Sequence, residues 1–159
     1  MATTATPEKA EKELKFFLLD ADAKAPTRAY SNAAGFDLYA KKSTRLTGRG
    51  VRIIDTGIAV VFPKGTHGQI ESRSSLCIKP GFITVGGVID SDYTGEIKVL
   101  VRKLTSRAIW INKGDRFAQL VIHQDVENLK VNVQSGAVPK YLQNPNDRGD
   151  CGLGSTGTT

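Results

Sequence analysis

Cysteine and histidine are both scarce in this chain of 159 residues, which contains two of each. Cys77 and Cys151 lack the paired spacing of a disulfide framework or a zinc cluster. His67 and His123 are far apart in the sequence, and neither lies in a recognisable nucleophile motif. The composition therefore argues against a transition-metal site and against a serine–histidine triad.

Long hydrophobic runs are also missing. No segment approaches the roughly 18 apolar residues that a membrane helix needs, and no charged start is followed by an apolar signal core. The 40% hydrophobic and 24% charged residues are typical of an ordinary globular domain. We expect an intracellular protein, cytoplasmic or nuclear, or within a host cell if the source is viral, with no membrane partner.

Positive charge is in excess, with 22 Lys and Arg against 16 Asp and Glu, a formal net charge of +6. Such an excess favours an anionic partner. The basic residues are scattered, with one modest concentration over residues 41–52, and they do not alternate with aromatic residues as on nucleic-acid platforms. We therefore expect a small polyphosphate ligand and no stable nucleic-acid binding.

Short apolar runs separated by Gly- and Pro-containing turns fill the middle of the chain. This spacing predicts an all-β sandwich or barrel with one small helical turn near residues 74–78. Residues 41–50 are interpreted as a basic turn. The basic turn follows the segment AAGFDLYA, residues 33–40. The predicted strands are residues 14–19, 51–54, 57–62, 67–71, 82–85, 97–101, 108–111 and 117–123.

The segment GVIDSDYTGE, residues 87–96, predicts a hairpin that carries chemistry. Val88 and Ile89 have strand propensity, the polar cluster after them is typical of a bend, and residues 97–101 are the predicted return strand. Asp90 then stands at a strand end, where a carboxylate is held rigidly and still contacts solvent. A simple turn-forming role for Asp90 and Asp92 is the alternative.

The end of the chain differs in composition, being rich in Gly, Asn, Asp, Ser and Thr. Arg148 offers a planar, positively charged guanidinium group. The glycines near Ser155 and Thr156 allow backbone N–H groups to converge on an anion. A frayed tail is the alternative. We predict a flexible N-terminal tail over residues 1–13, a β domain over 14–138 and a mobile C-terminal arm over 139–159.

Five stretches, in order, resemble the five motifs of the homotrimeric deoxyuridine triphosphate nucleotidohydrolases, the dUTPases. They are AAGFDLYA (33–40), SRSSL (72–76), GGVIDSDYTGE (86–96), KGDRFAQL (113–120) and RGDCGLGSTG (148–157). The resemblance implies a jelly-roll-like β-sandwich that forms a homotrimer with active sites shared between subunits. It also implies hydrolysis of dUTP to dUMP and pyrophosphate, which limits uracil incorporation into DNA and supplies dUMP for thymidylate synthesis. Mg2+ is implied as cofactor, held by the triphosphate and its waters.

The resemblance assigns roles to individual residues. Asp90 matches the catalytic carboxylate, which activates a water for attack at the α-phosphorus. Asp37 matches a position near the metal through waters, with a structural hydrogen-bonding role as the alternative. Arg116 is expected to brace the site. The residues matching phosphate-binding positions are Arg73, Ser74, Ser75, Gln119, Arg148, Gly154, Ser155 and Thr156.

Base and sugar recognition is implied for the third motif. Tyr93 matches the ring that packs under the deoxyribose and excludes a ribose 2′-hydroxyl. Uracil is read in the family mostly by main-chain groups. The residues matching these base- and sugar-binding positions are Gly86, Gly87, Val88, Ile89, Tyr93, Lys98 and Leu153.

Two departures from the family pattern concern the base. Leu153 stands where the family usually has an aromatic residue that stacks on uracil, so closure of the arm is expected to contribute about 1 kcal/mol less to binding. The hairpin loop before Val88 is one residue shorter than in many members.

Two other functions remain open, a dCTP deaminase of the same fold and a noncatalytic dUTP-binding or interaction module, whereas a purely structural jelly roll would not need these motifs.

Overall fold

The structure is a computed structural model that describes residues 13–79, 81–126 and 130–135. The chain divides into two units, residues 1–127 and 128–159. In the second unit the described residues, 130–135, contain no helix or strand. Among the described residues no helix is long and apolar enough to cross a membrane. The domain boundaries drawn from the sequence stay predictions.

The described part of the first unit is almost entirely β-structure, as the sequence predicts. It contains one short helix, α1 (Ser74–Ile78), at the predicted position. The strands are β1 (Lys15–Leu18), β2 (Gly35–Tyr39), β3 (Thr44–Leu46), β4 (Val51–Asp55), β5 (Ile58–Val61), β6 (Thr66–Glu71), β7 (Phe82–Thr84), β8 (Val88–Ile89), β9 (Lys98–Lys103), β10 (Ile109–Ile111) and β11 (Arg116–Gln124).

These strands pair in antiparallel fashion in four small sheets. The largest has the order β2-β11-β6-β8, and a three-stranded sheet has the order β4-β9-β7. Two-stranded ladders join β1 to β5 and β3 to β10. Many of these neighbours are distant in sequence, which is the arrangement of a jelly roll rather than of a simple meander.

The core lies between the sheets and is built by alternation along the strands. In β9, Val99 and Val101 are buried, while Lys98 and Leu100 alternate with them and are exposed. In β11, Phe117 and Leu120 are almost fully buried. Other fully buried apolar side chains come from several strands and their connections: Leu38, Leu46, Ile54, Ile58, Ile97 and Ile111. Removal of this apolar surface from water stabilises the packing of the sheets on one another.

The predicted hairpin partner of the return strand is wrong. Val88 and Ile89 pair with Gln69 and Gly68 of β6, whereas β9 pairs with β7 and β4. Two positive-φ glycines just before β8 redirect the chain from one sheet to the other. The Asp90 segment therefore bridges two sheets instead of closing a two-stranded ladder.

The interpretation of residues 41–50 as a basic turn is also wrong in part. Thr44, Arg45 and Leu46 form β3, which pairs with β10 over its whole length. Only Leu46 of these three is buried. A strand this short, with a single buried apolar side chain, has too little periodicity to be recognised in the sequence.

Gly68 in β6 is required by close packing, and its replacement tests the core. A Cβ at this position would lie 2.6 Å from Phe62 Cζ and 2.9 Å from Leu120 Cδ1. We expect Gly68→Ala to overpack the core and to cost about 1–3 kcal/mol, lowering Tm by several degrees. Gly50→Ala is the matched control, because no atom of the described residues lies within 4 Å of a Cβ there. Equal Tm values for the two variants in thermal unfolding would contradict this packing.

Candidate functional site

A buried carboxylate held by two arginines forms the centre of the candidate site. Asp37 lies in β2 and is only 7% exposed. Arg73 Nε forms an ion pair with Asp37 Oδ1 at 3.0 Å, and Arg116 Nη1 donates to Oδ2 at 3.2 Å. Arg73 Nη1 also donates to the carbonyl oxygen of Arg116 at 2.7 Å. Two guanidinium charges against one carboxylate leave this arginine cluster with a net positive charge, which favours an anion beside it.

The backbone around Asp37 is fixed independently of the arginines. Its N–H donates to the carbonyl oxygen of Thr27 at 2.7 Å, and the Thr27 hydroxyl lies 2.6 Å from Tyr39 Oη. The carboxylate therefore cannot easily move away from the two cations. Arg116 contacts Asp37 through its side chain and Arg73 through its main chain, so it braces the arginine cluster.

Gln119 lies directly beside this cluster, opposite Asp37 on β2 and opposite Glu71 on β6. Its Nε2 donates to the carbonyl oxygen of Ser72 at 3.0 Å. A Cβ on Gly35 would lie 2.8 Å from Gln119 Oε1, so the amide occupies space that only glycine leaves open. The register of β11 thus brings residues of the first, second and fourth motifs together.

Two serine hydroxyls begin α1 next to Arg73. Ser74 and Ser75 are exposed, and neither hydroxyl forms a hydrogen bond with another described residue. The preceding residue, Ser72, does make such bonds. Its Oγ accepts from the backbone N–H of Thr84 at 2.8 Å and lies 3.0 Å from Thr84 Oγ1. This anchoring to β7 leaves the next two hydroxyls free to contact an anion.

A cavity of about 480 Å³ adjoins the arginine cluster. Its lining includes Arg73, Arg116 and Lys24 together with the aromatic side chains of Tyr39 and Trp110. The Lys24 ammonium stands 4.0 Å from the centroid of the Tyr39 ring, a cation–π contact that fixes its position. Three cationic side chains on one cavity provide an electrostatic environment suited to phosphate groups.

The third motif lies at the other edge of the same sheet. Gly86 and Gly87 have φ values of 69° and 115°, a backbone region that favours glycine. The Gly87 carbonyl oxygen accepts from the Ile70 N–H at 2.8 Å, and a Cβ on Gly87 would lie 2.8 Å from the Ile70 oxygen. Because β8 is the last strand in its sheet, the outer main-chain groups of Val88 and Ile89 enter no ladder with another described strand.

Asp90 follows β8 and is exposed, as predicted for a carboxylate at a strand end. The Tyr93 N–H donates to the Asp90 carbonyl oxygen at 3.1 Å, and Tyr93 Oη donates to the Glu96 carbonyl oxygen at 2.9 Å. A Cβ on Gly95 would lie 2.6 Å from Tyr93 Oη, so the hydroxyl end of the ring packs closely against this glycine. The Tyr93 ring is thus held in one place while 43% of the residue stays exposed.

An ion-pair network lies next to the loop over residues 90–96. Lys42 Nζ lies 2.7 Å from Asp55 Oδ2, and Lys98 Nζ lies 3.3 Å from Asp55 Oδ1 and 3.6 Å from Glu96. The hydrogen bonds from Lys42 and, secondarily, Lys98 hold the pKa of Asp55 below its usual value, against the opposing effect of burial. The bond to Asp55 raises the pKa of Lys98. Glu96 Oε1 also accepts the Gly57 N–H at 2.8 Å.

The structure therefore separates the predicted site residues into two groups. Asp37, Arg73 and Gln119 meet in the arginine cluster with Ser74 and Ser75 beside it. Among the described residues, neither Asp90 nor Tyr93 forms a hydrogen bond or ion pair with that cluster. Five further predicted residues, Arg148, Leu153, Gly154, Ser155 and Thr156, lie outside the described residues.

Three supporting residues were missed by sequence reasoning. Ser72, Asp55 and Glu96 hold the site through hydrogen bonds to residues distant in the chain. Ser72 stands within the second motif and Glu96 at the end of the third, which was the only sequence signal for them. Asp55 had none, because its partners are set by the β4–β9 register.

The fold and these clusters define an all-β jelly-roll protein with a cationic cluster at one sheet edge and an exposed acidic loop at the other. The family model for dUTPase matches residues 21–157. The deoxyuridine 5′-triphosphate nucleotidohydrolase of Kluyveromyces lactis is 40% identical over 150 residues, covering 94% of this chain and 97% of the relative. The protein of the same name from Saccharomyces cerevisiae is 38% identical, covering 92% and 96%.

Solved structures show the same likeness. The dUTPase of Staphylococcus bacteriophage 80alpha with dUpNHpp is 26% identical with a TM-score of 0.72, covering 92% of this chain and 99% of that one. A variant of the dUTPase from phage phi11 of S. aureus, described with a structural Mg(II) ion, has a TM-score of 0.71 at 24% identity, covering 79% and 99%. The chain belongs to the dUTPase family.

The Asp55 ion pairs predict a specific response of stability to acid. The pKa of Asp55 is lowered by folding, so its stabilising contribution is present above the usual value of 3.8 and is lost as pH falls through the folded value. Asp55→Asn should cost about 1 kcal/mol at neutral pH and should flatten the loss of stability below about pH 4. Denaturant unfolding at several pH values measures both effects.

Asp92→Asn is the matched control, since Asp92 is exposed and forms no ion pair within the described ranges. If Asp55→Asn and the parent protein lost stability in parallel as the pH was lowered, the ion pairs would not carry the acid response.

Proposed function

We propose that this protein hydrolyses dUTP to dUMP and pyrophosphate, by attack of water at the α-phosphorus. Membership of the dUTPase family carries this proposal, and the geometry agrees with it. A positively charged arginine cluster with free serine hydroxyls suits a triphosphate. Asp90, an exposed carboxylate after β8, suits a general base.

Asp90 would take a proton from the attacking water as the new phosphorus–oxygen bond forms. The bond from the α-phosphorus to the bridging oxygen then breaks, and pyrophosphate leaves with the bonding electrons. Arg73, Ser74, Ser75 and Gln119 would bind the phosphate oxygens and offset the charge that develops on the leaving group. Asp37 would orient Arg73 for this task, because the ion pair fixes the guanidinium in one position.

We propose Mg2+ as the cofactor, bound through the triphosphate and waters. The donor set fits this arrangement, because the described residues contain no group of three or more His, Cys, Asp or Glu side chains able to hold a metal ion. Asp37 is already paired with two guanidinium groups, so any contribution to the metal would pass through water. When bound, Mg2+ would supply charge neutralisation on the phosphates.

We propose that the base and sugar bind along β8 and the loop after it. The outer main-chain groups of Gly86, Gly87, Val88 and Ile89 offer fixed donors and acceptors to uracil. Tyr93, which is held by close contact with Gly95 and by its bond to Glu96, would pack under the deoxyribose and exclude a 2′-hydroxyl. Lys98, at the start of β9, is proposed as a further contact to the base, and its ammonium group is engaged with Asp55.

The C-terminal arm, residues 139–159, completes the proposed site. Arg148, Gly154, Ser155 and Thr156 would contact the phosphates, and Leu153 would cover the base without an aromatic face. Residues 1–13 and 14–138 are proposed as the N-terminal tail and the β domain. An intracellular location, cytoplasmic or nuclear, stays a prediction from composition.

We infer that the active protein is a trimer whose sites combine residues of different subunits. Support comes from the separation of the Asp90 loop from the arginine cluster within the described part of one protomer. Further support comes from the exposed apolar side chains of Val51, Ile53 and Leu100, which share the outer face of the β4–β9 ladder. In a closed symmetric oligomer, such an exposed apolar face can be buried against another subunit.

Product analysis tests the proposed reaction. With Mg2+ present we expect dUMP and pyrophosphate from dUTP, and little turnover of dCTP, dTTP or UTP, because the base and sugar contacts discriminate among them. Ammonia release from dCTP would instead establish a deaminase. Binding of dUTP without turnover would establish a noncatalytic binding module.

Asp90→Asn tests the assignment of the base. The amide keeps the shape of the carboxylate but cannot take a proton, so kcat should fall by about 10²–10⁴-fold while the Kd for dUTP changes little. Asp92→Asn, two residues further along the same loop, is the control and should retain most of kcat. A parental rate in the Asp90→Asn protein would show that another group accepts the proton.

Subunit mixing tests the shared sites. Asp90→Asn and Arg73→Ala should each be inactive alone, but co-refolded trimers should recover activity at about a quarter of their sites if the two residues come from different subunits. Mass measurement verifies that mixed oligomers have formed. Mixed trimers that remain inactive would place Asp90 and Arg73 of one site in the same subunit.

A further inference from the structure

Two histidines that are distant in the sequence face each other on neighbouring strands. His67 of β6 is the direct partner of His123 of β11 in the antiparallel register. Their rings are stacked with centroids 5.4 Å apart and an angle of 18° between the ring planes. His123 is exposed and His67 is partly exposed, so both rings are accessible to solute ions.

A carboxylate selects the tautomer of the neutral His67 ring. Asp125 Oδ1 lies 2.6 Å from His67 Nδ1. An ionised carboxylate can only accept, so Nδ1 carries the hydrogen and the lone pair of the neutral ring is on Nε2. The Asp125 N–H in turn donates to the Gly65 carbonyl oxygen at 2.9 Å, which fixes the carboxylate relative to β6. A carboxylate on the far nitrogen is the usual support of a metal-binding histidine.

We propose that His67 and His123 form a binding site for a borderline divalent transition metal such as Zn2+, separate from the proposed nucleotide site. His67 Nε2 and one ring nitrogen of His123 are the protein ligands, and water completes the coordination. In the stacked arrangement the two rings do not point at one cation, so binding requires the exposed His123 ring to rotate about its soft terminal torsion, out of the stack, until a nitrogen faces the cation. Imidazole ligands suit Zn2+, Ni2+ and Cu2+ and do not suit Mg2+.

The position of this site gives it a structural consequence. It lies four residues along β11 from Gln119, about 13 Å at a rise of ~3.3 Å per residue, on the same face of the sheet. A cation bound by both rings links β6 to β11, the strands that carry Gly68 and Gln119. Binding to the folded state alone raises stability in proportion to the logarithm of metal concentration.

Thermal unfolding of the full chain with Zn2+ or Mg2+, without nucleotide, tests the proposal. Zn2+ should raise Tm and Mg2+ should not, and the Zn2+ shift should be larger at about pH 7.5 than at about pH 5.5, because a protonated imidazole cannot bind a cation. Calorimetric titration should show that His123→Gln weakens Zn2+ binding by more than about tenfold and Asp125→Ala by about tenfold. His123→Gln should leave dUTP turnover with Mg2+ unchanged.

A protein carrying Cys77→Ser and Cys151→Ser serves as the background for these measurements, because free thiols also bind Zn2+. The metal-free Tm of each variant verifies that it folds. Undiminished Zn2+ binding in His123→Gln, or no Zn2+ binding by the cysteine-free protein, would overturn the proposal. Neither result would affect the proposed hydrolysis of dUTP, which the product analysis tests separately.

Discussion

The pairing of one buried carboxylate with two arginines determines how the candidate site is built. Asp37 belongs to β2, Arg73 precedes α1 and Arg116 begins β11, so a single side chain ties together three segments that are far apart in sequence. Ionised groups with so little exposure to water are stable only when they are paired and hydrogen-bonded, and here both carboxylate oxygens have partners. The same pairing that satisfies the carboxylate also points cationic groups toward the cavity.

Sequence reasoning succeeded where local patterns determine structure. The alternation in β9, the short helix α1 and the all-β architecture follow from periodicity and turn residues, and the dUTPase resemblance follows from five ordered motifs. It failed where long-range register decides. The partner of Val88 and Ile89 is β6 because the glycines before them change the chain direction, and the stacking of His67 on His123 depends on the alignment of two strands that no local signal reveals.

The roles of the acidic residues show the same limit. A sequence presents Asp37, Asp55 and Asp90 as equivalent carboxylates, yet their surroundings differ. Two of them are engaged with cations, and the third stands exposed at a strand end. Only the three-dimensional arrangement distinguishes a carboxylate that positions its neighbours from one that is free to accept a proton.

The strands that carry the two halves of the site differ greatly in length. β11 spans nine residues and is paired on both sides, whereas β8 has two residues at a sheet edge. Amide hydrogens near Gln119 should therefore exchange with solvent only in rare, near-global openings, while those near Asp90 exchange through local fluctuations. If the nucleotide binds as proposed, it can enter and leave through small movements of the loop that follows β8, without any opening of the strand that carries Gln119.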